Sequence, residues 1–128
     1  VLIEGLPAPQ LRTYPVYTVI AEKLHAVALL GMTNSRLKDY LDLWILLSNE
    51  TLDAGILAQA IAATFKRRGM PVPTNLPIGL TDEFANDISR QAIWFSFLTK
   101  NQLATTPLST VVASLRSTLG PALIRAAS

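Results

Sequence analysis

The stretch PVYTVIAEKLHAVALL, residues 15–30, decides how the rest of the chain is read. Pro15 suits the first turn of a helix, where its missing N–H costs nothing, and Gly31 supplies a C-terminal cap. At 100° per residue Val16, Val19, Ile20, Leu24 and Val27 share one face, with Thr18, Glu22 and His25 opposite. Lys23 falls inside the apolar arc, between Val16 and Val19. An ammonium there either snorkels out to water or points at a partner. The first is a structural lysine; the second is a lysine aimed into a pocket that holds anions. His25, on the polar face with no partner in the sequence, reads as a solvated histidine.

The next helical stretch, SRLKDYLDLWILLS at 35–48, is apolar nearly all round from Tyr40 to Leu47, Asp42 excepted. Such a helix is central. Asp39 and Asp42 are three residues apart and share a side, flanked by Lys38. A carboxylate in this setting needs a counter-charge, because burying it unpaired is very costly. Asp42 has three candidates: Lys38 at i,i+4, or Lys23 or Arg36 across helices. Asp39, nearer the helix start, also favours the positive end of the dipole. Periodicity thus allows Lys23, Arg36, Lys38, Asp39 and Asp42 to converge.

Working outward, Asn34 or Ser35 is the expected cap of this second helix, and Thr51 that of a third, which ends at Lys66-Arg67-Arg68 before Gly69. Three prolines and two glycines make 69–80 a loop. Thr81 caps a fourth helix reaching through Trp94, Phe95 and Phe97, aromatics read as core before stacking platforms. A last helix spans about Pro107 to Leu119, before Gly120-Pro121. Residues 1–14, with Pro7 and Pro9, read as an extended connector whose Val1–Ile3 end a strand. The expected fold is mainly α, one domain of about five helices over 15–128.

Composition narrows the function classes. Half of the 128 residues are hydrophobic and 16% charged, which excludes disorder. No cysteine and a single histidine exclude thiolate zinc sites, a Cys nucleophile and an all-histidine metal site. A net charge of +2 is too small to argue nucleic-acid binding. Lys66-Arg67-Arg68 closes a helix, where cations complement the dipole; Arg67 and Arg68 are also candidates for an RNA contact. No uninterrupted apolar run exceeds the five residues Leu43–Leu47, so no membrane span is expected and a cytoplasmic location is. The sequence starts at Val rather than Met, which reads as a piece of a longer protein. No glycine-rich phosphate loop, Gly-x-Ser-x-Gly or metal-ligand cluster occurs.

Ala21-Glu22-Lys23-Leu24 followed by Asn34-Ser35-Arg36-Leu37-Lys38-Asp39-Tyr40-Leu41-Asp42-Leu43 resembles two motifs of the AbiEii/AbiGii type IV toxin nucleotidyltransferases. These are the family's third and fourth: an Ala-Glu-Lys helix, then Arg-x-Lys-Asp-x-x-Asp-Leu. Tyr14-Pro15, Ala63 to Gly69, Gly79-Leu80-Thr81 and Gln91 to Leu98 extend the likeness to about residue 100. The resemblance implies a polymerase-β-like enzyme that transfers NMP from an NTP, with Mg²⁺, to an acceptor such as tRNA. It implies a cognate antitoxin as partner. Lys23 would neutralise the triphosphate and Asp39 would be an active-site carboxylate. Arg36 and Lys38 would support phosphate, and Asp42 would order the helix through an ion pair. The family's Gly-Ser turn and metal-binding Asp-x-Asp do not occur here, so the chain reads as the helical C-terminal half, inactive alone and binding neither NTP nor Mg²⁺. The alternative is a non-catalytic helical module that binds an antitoxin or another protein or RNA. That module expects Lys23 and Asp39 to point apart, whereas the enzyme half expects them to face one cleft. A half-domain is also expected to expose an apolar surface or to hide it in a homodimer.

Overall fold

Why each helix starts and stops is read from a computed structural model that describes residues 14–103 and 105–128. Among the described residues six helices follow one another: α1 Tyr14–Leu30, α2 Leu37–Asn49, α3 Ala54–Arg67, α4 Asp82–Ala85, α5 Ile88–Lys100 and α6 Leu108–Ala127. Short 3-10 turns occupy Gly31–Thr33 and Ile78–Leu80. No strand occurs among the described residues, in keeping with the mainly α expectation. The expected connector lies outside the described residues except Tyr14, which already belongs to α1.

The caps correct the sequence reading in three places. Asn34 does not cap α2; its Oδ1 accepts from the Arg36 N–H at 2.7 Å, and Arg36 takes the N-cap position without a side-chain cap. Asp53, not Thr51, caps α3, with Oδ1 accepting from the Ile56 N–H at 2.9 Å. The expected fourth helix is two, because Asp87 is extended and its carboxylate accepts from the Arg90 N–H at 2.8 Å, starting α5 afresh. Gly69, at φ +70°, closes α3 as a left-handed cap, and the Met70 N–H reaches back to the Phe65 carbonyl.

The last helix runs through Gly120 and Pro121 to Ala127 rather than stopping before them. Its buried residues Leu108, Val111, Val112, Leu115, Leu119, Ala122 and Leu123 form one unbroken stripe. The carbonyl that Pro121 leaves without a helical donor belongs to exposed Ser117. Burying Ala122 and Leu123 gains about 3 kcal/mol, which offsets the roughly 3 kcal/mol that an interior proline costs.

Helix α6 lies across α2, α3 and α4, and α1 packs along α3 and touches α2. The buried face of α1 is Tyr17, Ile20, Ala21, Leu24 and Val27, rotated from the expected one. Val19 is therefore 41% exposed, and His25 is buried, edge-on to Phe65 at 5.2 Å between ring centres. The rotation carries Lys23 from inside the apolar arc to its rim. Residues Pro15–Thr33 reach a mean hydropathy of 1.2, apolar and long enough to cross a membrane by composition. A count of uninterrupted runs misses this, because Glu22, Lys23 and His25 break the stretch. Here that helix spends its apolar face on the core and its charges on α2 and α3.

Candidate functional site

The charged rim of α1 meets the start of α2. Lys23 Nζ donates to Asp39 Oδ1 at 3.0 Å and to Asp42 Oδ2 at 3.1 Å. Asp42 Oδ2 also accepts from Lys38 Nζ at 2.9 Å, one turn earlier on the same helix. Arg36 Nε lies 3.1 Å from Asp39 Oδ2, but it is not aligned as a donor, and that buried oxygen has no hydrogen bond. The structure thus brings Lys23, Arg36, Lys38, Asp39 and Asp42 into one network. The side chains of Asp39 and Lys23 are 8% and 23% exposed, so this network is only partly open to water. Lys23 and Asp39 are paired rather than turned apart as the interaction module expects. Asp39 is not among the residues that wall the neighbouring cleft, so the enzyme half's expectation that both face one cleft is met by Lys23 alone.

On the other side of Lys23, Glu22 is held by both arginines that end α3. Arg67 Nη2 donates to Glu22 Oε2 at 2.6 Å, and Arg68 donates to Oε1 through Nε at 3.0 Å and Nη2 at 2.8 Å. Arg67 and Arg68 are therefore paired, not free cations at a helix end. A cleft of about 450 Å³ runs between the two networks, walled by Glu22, Lys23, Arg36 and Arg68, with Val19 and Leu29 as apolar flanks. Neighbouring residues of one motif thus work in opposite directions: Glu22 ties α1 to α3 and Lys23 ties it to α2.

Burial works against each charge here, and the partners outweigh it. Burial pulls the Lys23 ammonium down, but its bonds to Asp39 and Asp42 bring the net direction above the usual lysine value. Burial raises the Asp42 carboxyl, yet Lys38 and Lys23 hold it below the ordinary range. Glu22 behaves likewise, with burial overcome by Arg67 and Arg68. Carboxyls with depressed pKa values stabilise the fold above their unfolded pKa, and that contribution is lost as the pH falls through the lower folded value. Stability is therefore expected to drop below about pH 4.5. Thermal melts between about pH 6 and pH 2 check this. The Glu22→Gln, Asp42→Asn double variant should show a shallower acid limb, and an unchanged limb would place the acid-sensitive groups elsewhere.

Three residues, Arg90, Tyr40 and Gly79, support the site in ways that sequence reasoning does not reach. Arg90, 11% exposed, donates to the Phe84 carbonyl at 3.0 Å and the Met32 carbonyl at 2.5 Å, its guanidinium 3.8 Å from the Phe84 ring centre. It fixes the 3-10 turn that leads to Arg36. Tyr40 stacks on the same Phe84 ring at 5.1 Å and donates to the Gly79 carbonyl at 2.8 Å, which sets the rotation of α2 and with it the aim of Asp39. An arginine in a helix otherwise without charge from Ile88 to Thr99 was the available signal for Arg90. Gly79 had its place in a loop and in the Gly79-Leu80-Thr81 stretch of the resemblance, neither of which pointed to Tyr40.

A family model described as nucleotidyl transferase AbiEii toxin, type IV TA system, matches residues 1–117. No curated protein and no solved structure matches the chain.

Proposed function

The chain belongs to the AbiEii nucleotidyl transferase toxin family of type IV toxin–antitoxin systems, and on that premise we propose that the Lys23 cleft forms the helical wall of a nucleotidyltransferase site. The family is one of toxins with antitoxins, so a cognate antitoxin is the implied partner. The observation that carries the reading is the Lys23 ammonium, held between Asp39 and Asp42 at the lip of a cleft shared with Arg36. An ammonium has three donors; two are used here, and the third is left for a phosphate oxygen. Transfer of NMP needs positive charge around the departing pyrophosphate while an acceptor oxygen, such as that of a tRNA hydroxyl, attacks the α-phosphorus. Lys23 and Arg36 supply that charge from the cleft wall, with Lys38 on the adjoining turn, and Asp42 holds Lys23 and Lys38 in register. Arg67 and Arg68 meet an RNA backbone only through edges that Glu22 leaves free.

The described residues do not themselves fit the Mg²⁺ of such a reaction. The Lys23 ammonium sits between the two carboxylates where a divalent ion would have to sit, and no group of three His, Asp or Glu converges among the described residues. The metal carboxylates would come from outside these 128 residues, and this chain alone is expected not to turn over.

Calorimetry with NTP on the full-length gene product tests the reading. Arg36→Ala and Lys38→Ala change exposed side chains, 61% and 72% open to water, so they separate binding from folding. Lys23→Ala and Arg36→Ala are each expected to weaken NTP by about tenfold, or about 1.4 kcal/mol, with Lys38→Ala weaker in effect. Absence of NTP binding, or indifference to both Lys23 and Arg36, would leave the chain as an interaction domain.

A further inference from the structure

Helix α5 contributes little to the core: of its 13 residues only Trp94 and Leu98 are buried, with Phe97 packed partly against them. Its one charge between Ile88 and Thr99, Arg90, turns inward onto backbone carbonyls. From Ile88 to Thr99 the outward side is uncharged, with Ile88 82%, Ile93 57% and Phe95, expected in the core, 59% exposed among the small or polar Ser89, Gln91, Ala92, Ser96 and Thr99. Ile88, Gln91, Ala92, Phe95 and Thr99, all exposed, recur at i, i+3, i+4, i+7 and i+11. That is the stripe a helix ordinarily turns toward a core or another helix. Beside it lies a cavity of about 420 Å³ walled by Trp94, Phe95, Leu98, Pro107 and Leu108. Gln91, Thr105 and Thr106 complete a mostly apolar wall, with Gln91 Nε2 donating to the Ala85 carbonyl at 3.1 Å and Trp94 Nε1 to that of Thr106 at 2.7 Å. The cavity therefore suits an apolar side chain better than a polar ligand.

We propose that this stripe pairs two copies of the chain, α5 against α5, antiparallel about a two-fold axis near Ala92. The knob and the hole are on the same helix. With the axis at Ala92, Ile88 of one copy falls opposite Ser96 of the other, about 6 Å from the axis at 1.5 Å per residue. That places the most exposed apolar side chain of α5 beside Phe95 and the cavity of its mate, and symmetry makes the contact twice. Ser89, Ala92 and Ser96 are small enough for close helix approach. An uncharged face also spares each copy the repulsion that the net charge of +2 brings elsewhere. One 13-residue helix pair with its rim buries at most on the order of 1,000 Å², below the standard size for stable specific contacts, so the expected association is weak and needs high concentration.

Sedimentation of the 128-residue chain from about 1 to about 200 μM decides it. The mass is expected to rise from 13.9 kDa toward twice that value. Ile88→Glu and Phe95→Glu should each hold it at 13.9 kDa with an unchanged thermal melt, since both side chains are exposed. The chain has no cysteine, so Ala92→Cys introduces a single thiol. Air oxidation should link it to a dimer at least tenfold faster than Ile124→Cys, a control 69% exposed on α6. A monomer at every concentration, a dimer that survives Ile88→Glu, or equal linking at the two positions would overturn the proposal. The first is also the result if this face serves an antitoxin instead.

Discussion

Lys23→Ala is expected to lower the stability of the chain by about 3 kcal/mol, near the lower bound for breaking a buried ion pair. Asp39 is the reason. Its carboxylate is 8% exposed, one oxygen bonds only to Lys23 and the other has an unaligned arginine beside it. Asp42 suffers less, because Lys38 remains at 2.9 Å. A loss of this size lowers the melting temperature by about 10 °C in a domain of this length. The contacts raise the pKa of Lys23 above the usual 10.5. Its stabilisation is therefore in full force at neutral pH and lost only as the pH climbs through that raised value. Urea unfolding of Lys23→Ala, Asp39→Leu and Lys23→Met with Asp39→Leu completes the argument. Replacing both partners by apolar groups should return to within about 1 kcal/mol of the parent, since an apolar pair owes nothing for desolvation. A Lys23→Ala loss below about 0.5 kcal/mol would mean that water screens the pair as it does on an open surface.

That network was legible because charge stands against pattern. A lysine near an apolar stripe and two aspartates in an apolar helix each need a counter-charge, so desolvation marks Lys23, Asp39 and Asp42 as candidates to converge but leaves open which cation each carboxylate takes. The wheel placed the stripe correctly to within about one residue's rotation of 100°. That error moved Val19 out and His25 in, because a wheel weighs residue types and cannot see that Phe65 offers His25 an edge-on partner. Glu22 was set apart from the lysine for the same reason. Its role needs α3 to arrive alongside α1, a tertiary fact with no local signature. Asp87 splitting one helix into two is a local cap signal that the apolar pattern hid, whereas Pro121 failing to end another is a local rule outweighed by burial of Ala122 and Leu123.

A loop glycine carries the second large effect. Gly79→Ala is expected to cost about 3 kcal/mol, the upper range for overpacking. A Cβ there would lie 2.6 Å from Tyr40 Oη and 2.7 Å from Val27 Cγ1, with the Val27 carbonyl at 3.3 Å. Neither side chain has room to retreat, since Tyr40 and Val27 are both 0% exposed. Tyr40 is also tethered to the carbonyl of Gly79 itself, so a turn that backs away loses the hydrogen bond as well. Tyr40→Phe alone should cost about 1.5 kcal/mol by leaving that carbonyl without its donor. Combined with Gly79→Ala it removes the nearest clash, so the double variant should lose at least about 1 kcal/mol less than the sum of the singles. The same clash turns α2, so NTP affinity of the full-length protein should fall in Gly79→Ala at temperatures where the chain is still folded. A Gly79→Ala melt within about 2 °C of the parent would show slack in the turn. The aim of Asp39 would then have to be set by Lys23 and Arg36 alone.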